Sequence, residues 1–121
     1  MTPGGCLEYV VLRCADLERS RTFYEALGLR LVHEQHGRGQ AHYSSDLGQV
    51  VLELYPLSGR PSSGVRLGIR VSGLATIIEA MKRIGAEIVR IDTESTLTSA
   101  VLRDPDGHEI AVAENGGVPD A

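Results

Sequence analysis

The sequence predicts an α+β fold built from two tandem βαβββ modules, and three observations predict it. The chain repeats itself at an offset of 57 residues: Val11-Leu12-Arg13-Cys14-Ala15-Asp16-Leu17 aligns with Gly68-Ile69-Arg70-Val71-Ser72-Gly73-Leu74. The same offset carries Leu27-Gly28 onto Ile84-Gly85 and Leu31-Val32 onto Ile88-Val89. Each half opens on a β-rich run that passes into a helix-length segment stopped by glycine. Glycine-bearing turns then divide the rest of the first half into short runs, and in the second half a Pro/Gly turn sets off the last one.

The elements follow in order. A strand over 7–14 is broken by Ala15-Asp16, and Asp16 is an N-cap for a helix over 17–27, its carboxylate accepting from first-turn amides. Leu17, Phe23, Tyr24 and Leu27 give that helix its apolar face, and Gly28 suits the left-handed position that ends it. Strands over 29–36, 41–46 and 49–55 are separated by turns at Gly37-Arg38-Gly39 and Leu47-Gly48. The second half repeats this: strand 65–71, helix 74–84, strands 86–91, 98–103 and 109–113. Asp104-Pro105-Asp106-Gly107 is a turn on its own chemistry, since proline presets φ and glycine tolerates positive φ. The chain therefore divides into module 1 (about 6–56), a polar linker (57–64), module 2 (about 65–114) and a tail (115–121) expected to be unpacked, all within one domain.

Composition bounds the function classes. With 121 residues, 42% hydrophobic and 23% charged, the chain is ordinary for a globular domain and can bury roughly two-thirds of its surface in one core. Its apolar runs fall far short of the ~20 residues that span a bilayer, and 1–6 lack a secretory pattern, so neither a membrane nor export is expected. The net charge of −4 argues against a nucleic-acid partner. Cys6 and Cys14 lie too far apart on one strand to pair and read as reduced, buried thiols of a cytoplasmic protein.

Strand alternation assigns faces. In Val65-Arg66-Leu67-Gly68-Ile69-Arg70-Val71 the odd positions should meet the helix, turning Arg66, Gly68 and Arg70 to the other side. By the same rule Leu52 and Leu54 belong with the helix layer, while Val51, Glu53 and Tyr55 face away. Ile110 and Val112 point to the core and Ala111 does not.

The string Val10 to Tyr24, with Leu27-Gly28-Leu29, resembles the N-terminal signature of the vicinal oxygen chelate superfamily, and Asp104-Pro105-Asp106-Gly107 before a strand resembles its C-terminal one. That superfamily holds glyoxalases, bleomycin-resistance proteins and extradiol dioxygenases. The resemblance covers about 6–114 and implies curved mixed sheets around a cavity, with helices on the outer face. It also implies a homodimer, as in many short two-module relatives.

In metal-dependent members four cavity side chains chelate a divalent ion, and the matching positions here are Tyr9, Glu53, Arg66 and Ala111. Arginine has no free lone pair, alanine has no donor and neutral tyrosine is a poor ligand, so only Glu53 is a credible one. No cofactor is therefore expected at that site; Arg66 could instead stand in for the ion and pair with Glu53. A turn at Leu47-Gly48 would place His42 opposite Glu53, and a turn at Arg38-Gly39 would bring Gln35 and His33 to the same face. A divalent metal displaced to His42, Glu53 and His33 or Gln35 is thus an alternative, as is a cavity hydrogen bond between His42 and Glu53. His36 and His108 are expected at the surface, beside turns.

The leading functional expectation is small-molecule binding through Tyr9, His42, Val51, Glu53, Tyr55 and Arg66. The alternatives are a lyase, isomerase or dioxygenase-like enzyme, using a displaced metal or a His42–Glu53 base as its catalytic pair, and a structural or regulatory dimer with a vestigial pocket.

Overall fold

In a computed structural model of the chain, residues 8–59, 64–93 and 97–114 are described. Cys6, residues 60–63 of the linker and the tail lie outside them. Module 1 comprises β1 (Tyr9–Cys14), α1 (Leu17–Ala26), β2 (Val32–Glu34), β3 (His42–Leu47) and β4 (Val50–Pro56). Module 2 comprises β5 (Arg66–Val71), α2 (Leu74–Ile84), β6 (Glu87–Thr93), β7 (Leu97–Arg103) and β8 (Glu109–Glu114). The sheets have matching orders, β1-β4-β3-β2 and β5-β8-β7-β6, each with one parallel pair, β1 with β4 and β5 with β8. The repeat in sequence is a repeat in space.

The helix ends follow their local chemistry. Asp16 caps α1, its side chain accepting from the Arg19 amide. Gly73 at the start of α2 offers no side chain, and Glu114 at the end of β8 takes over, accepting from the Gly73 and Leu74 amides at 3.0 and 2.9 Å. Gly85 ends α2 at φ 74°, in the region that disfavours any residue with a Cβ.

Burial follows the assigned faces. Leu12, Cys14, Leu52 and Leu54 are buried on the helix side of the first sheet, and Val71, Ile110 and Val112 on that of the second. These join Phe23, Tyr24 and Leu27 from α1 and Leu74, Ile78 and Met81 from α2 in one cluster, and the two helices touch each other. The modules thus share a core across their helix-bearing faces. The other face of each sheet holds exposed or half-buried residues: Tyr9, Val51, Glu53 and Tyr55 on one, Arg66, Arg70 and Ala111 on the other.

The Asp104–Gly107 turn does more than reverse the chain. The Tyr24 hydroxyl donates to Asp104 Oδ2 at 2.6 Å, and Asp106 accepts from the Ala15 amide and the Ser20 hydroxyl at 2.9 and 3.2 Å. Asp104 Oδ1 also accepts from the amides of Asp106 and His108, both at 2.9 Å. One turn of module 2 is therefore bonded to the strand end and helix of module 1. His108 is buried rather than at the surface: its Nδ1 accepts from the Val65 amide at 3.1 Å. The turn folds the chain back over β5, which the local sequence does not reveal.

Removing the Tyr24 hydroxyl leaves the buried Asp104 carboxylate short of a donor. Tyr24→Phe is expected to lower stability by about 1–3 kcal/mol in urea denaturation. Tyr43→Phe, which removes an exposed hydrogen bond to Glu18, should cost under about 1 kcal/mol.

Candidate functional site

The site on the first sheet is set by two hairpins whose turns differ from the expected ones. Gly48 has φ 79° and occupies the first central position of a Gly48-Gln49 turn, where a glycine suits a two-residue hairpin. The β3–β4 ladder consequently pairs Leu47 with Val50 and Tyr43 with Leu54. One step further, the His42 and Tyr55 rings stack at 4.2 Å with planes 9° apart. The expected partner, Glu53, is displaced by two residues, a shift that keeps it on the same face: His42 Nε2 lies 3.6 Å from Glu53 Oε2.

The β2–β3 hairpin moves by one residue, and one residue changes the face. Its tight turn is His36-Gly37-Arg38-Gly39, closed by the Gly39 amide on the His36 carbonyl, with Gly37 at φ 58°. Glu34 therefore stands opposite His42, and His33 opposite Tyr43, packed edge-on against its ring. His33 and Gln35 thus do not join His42; Glu34 does, with Oε1 at 3.3 Å from His42 Nε2. His36 is largely exposed as expected, yet its Nε2 comes within 3.6 Å of the same Glu34 oxygen.

His42 is the buried centre of this group, 1% exposed. Its Nδ1 lies 3.0 Å from the Gln40 carbonyl, which can only accept, so Nδ1 carries the proton of the neutral ring. The Nε2 lone pair then faces Glu34, Glu53 and the Tyr55 hydroxyl at 3.4 Å. The Ser44 hydroxyl, diagonal to Glu34 on the ladder, donates to that carboxylate and, with His36 and His42 beside it, holds it below the usual glutamate range. Burial above all, with Glu53 nearby, pushes the Tyr55 phenol up, so it remains a donor.

The four positions matched to metal ligands do not form a donor set. Tyr9 and Glu53 lie on the first sheet, Arg66 and Ala111 on the second. Arg66 does not pair with Glu53; it meets Glu109, its neighbour across the β5–β8 ladder, at 3.0 Å. One carboxylate, an exposed phenol, a paired guanidinium and a methyl group do not fit a divalent ion.

The second sheet's helix-free face is different in character. A cavity of about 450 Å³ there is lined by Arg66, Arg70, Arg90, Ser99, Ala111 and Ala113. Arg90 is held by Asp92, whereas Arg70 has no ion pair among the described residues. Arg13, its repeat mate, is used internally, over the Tyr55 ring and near the Gln40 side chain. An apolar cavity of about 440 Å³ lies elsewhere, between the modules, lined by Val10, Leu52, Leu67 and Ile69 from the core side of both sheets. It holds few polar groups to orient a reacting molecule.

Paired βαβββ modules, each with a helix on one sheet face and polar side chains gathered on the other, define the class of fold. The chain belongs to the Glyoxalase/Bleomycin resistance protein/Dioxygenase superfamily, whose model matches residues 7–112. Similar solved structures include TnmS3, an antibiotic binding protein from Streptomyces sp. CB03234, at 18% identity and TM-score 0.70, covering 94% of this chain and 98% of that one. Lactoylglutathione lyase from Agrobacterium tumefaciens is 17% identical with TM-score 0.63, covering 98% and 100%. The oxidase ChaP-H2 is 17% identical with TM-score 0.72, covering 93% and 95%. A binder, a lyase and an oxidase on one fold leave function to the side chains. No curated protein matches the chain.

Two expectations follow from the geometry. Long-range ¹H–¹⁵N spectra should show neutral His42 protonated on Nδ1; a proton on Nε2 would contradict the Gln40 bond. Cys14, whose thiol burial pushes up to about 11, is about one part in a thousand thiolate at pH 8. Iodoacetamide should leave it unlabelled in the native protein and label it in denaturant, read by peptide mass mapping.

Proposed function

We propose that the chain is a small-molecule-binding protein of the glyoxalase/bleomycin-resistance/dioxygenase type that works without an ion at the family's four ligand positions. Its ligand lies against the helix-free face of the first sheet, on Tyr9, Val51 and Tyr55, with His42 and Glu53 as polar anchors and Arg66 contributed by a second-sheet face. The observation that carries this reading is the make-up of that face. Tyr9 is 57% exposed and Tyr55 half-buried, beside a buried imidazole flanked by carboxylates, whereas Glu53 is the one good metal donor among the matched ligand positions. Exposed rings beside a few fixed polar groups favour apolar or aromatic ligands bearing hydrogen-bonding substituents.

Tyr9 and Arg66 stand on separate sheets of one chain with no ladder joining them. A cup that uses both is completed by a homodimer, in which the first sheet of one protomer faces the second sheet of its partner. No helix among the described residues is long and apolar enough to cross a membrane, which accords with a partner in solution. Proton abstraction by His42 is the competing use of the same group. Its 1% exposure keeps the ring from reaching a substrate proton, and it serves the ligand by fixing the Tyr55 ring and the Glu53 carboxylate beside it.

A thermal-shift screen with aromatic and carboxylate ligands tests the proposal, because ligand bound at a hundredfold over Kd adds about 2.7 kcal/mol of stability. A ligand that raises Tm should lose that effect in both Tyr9→Ala and Arg66→Ala, and sedimentation should give the mass of a dimer. Shifts that survive both substitutions, or a panel that moves Tm nowhere, would count against it.

A further inference from the structure

The geometry points to a divalent transition-metal site at the β2–β3 end of the first sheet, with Glu34, His36 and His42 as ligands and Glu53 beside them. It goes beyond the binding reading above and does not need it, since the ion alone is the probe. The site adjoins one of the four family positions, Glu53, and takes its ligands from β2, β3 and the turn between them.

The argument begins with an electrostatic imbalance. With its Nδ1 proton committed to the Gln40 carbonyl, His42 turns a lone pair toward Glu34 Oε1 and Glu53 Oε2. The Tyr55 hydroxyl at 3.4 Å is a long, neutral donor to that lone pair; the two carboxylates and the imidazole nitrogen still repel one another unless a cation lies between them. A second proton on His42 would supply one. Charge-assisted N–H···O bonds, however, run at about 2.7–2.9 Å, and the contacts here are longer, at 3.3 and 3.6 Å.

Those lengths suit an ion. Donors about 2.0–2.2 Å from a tetrahedral centre stand about 3.3–3.5 Å from one another. Glu34 Oε1 is 3.3 Å from His42 Nε2 and 3.6 Å from His36 Nε2, and the three ligand atoms all lie within 4.8 Å of one another. Small side-chain rotations of the exposed His36 and the half-buried Glu34 would close the set.

The surroundings are those of a ligand histidine. A backbone carbonyl on Nδ1 fixes the tautomer and presents Nε2 to the metal, as second-shell partners do. The Tyr55 ring stacked on His42 holds the plane of the imidazole. Two carboxylates balance a dication's charge, and two imidazoles with carboxylate oxygen suit zinc, nickel or iron rather than calcium or magnesium. Three ligands leave a tetrahedral ion one open position.

The test is titration of the tag-free full chain with Zn²⁺ by calorimetry at pH 7.5. One ion per chain is expected, with Kd on the order of 10 µM or tighter. His36 and Glu34 are surface-accessible, so His36→Ala and Glu34→Gln should leave far-UV circular dichroism unchanged while weakening Zn²⁺ by roughly tenfold or more each. His33→Ala, on the opposite face, should leave the affinity as it was. Zn²⁺ should also shift the His36 and His42 Nε2 resonances in ¹H–¹⁵N spectra, a readout that needs no variant of the buried ring. No saturable binding, or binding that both His36→Ala and Glu34→Gln retain, would overturn the site.

Discussion

Each sheet of this protein has two faces, and each module has one helix to cover them. That constraint governs the rest. The two helix-bearing faces share a single apolar core, tied across the modules by Tyr24, Ser20 and the Ala15 amide on the Asp104–Gly107 turn. Both remaining faces are left to something other than the chain's own helices. On the first lie rings, carboxylates and an imidazole; on the second, arginines over small residues. Solved structures of this fold include an antibiotic binding protein, a lyase and an oxidase, so the shared core does not by itself distinguish such roles.

Most of the fold was legible in the sequence, for identifiable reasons. The 57-residue offset, the Asp16 cap and the glycines after each helix are local signals, and local chemistry decided those elements. The face assignments held because period-two alternation in β1, β4, β5 and β8 is strict. Glu114 capping α2 and the buried His108 were not legible, since both depend on residues about forty positions away.

The candidate site was legible in part, and hairpin register is why. His42 and Glu53 were expected to share a face, and they do, because a two-residue shift at Gly48 preserves it. At the neighbouring hairpin the tight turn begins at His36, one residue earlier in register than Arg38-Gly39 implied, and the face exchanged Glu34 for His33 and Gln35. Gly37 was the available signal for the turn, since a glycine at its second position takes the positive φ; a plain two-residue loop there would set Glu34 opposite Ala41, and the observed Glu34–His42 pairing carries one residue more on the β3 side. Within one chain the anticipated Arg66–Glu53 pair does not form, for a topological reason. The two residues belong to different sheets, and Arg66 has Glu109 directly across its own ladder.

The central claim is that polar chemistry in this chain has moved from the family's shared positions to the far end of one sheet, around His42. Anomalous diffraction from crystals soaked in Zn²⁺, recorded on both sides of the zinc edge, tests it most directly. A peak about 2.0–2.2 Å from His42 Nε2 and from a Glu34 oxygen is the result the account predicts. A peak among Tyr9, Glu53, Arg66 and Ala111, or one confined to surface carboxylates elsewhere, would contradict it.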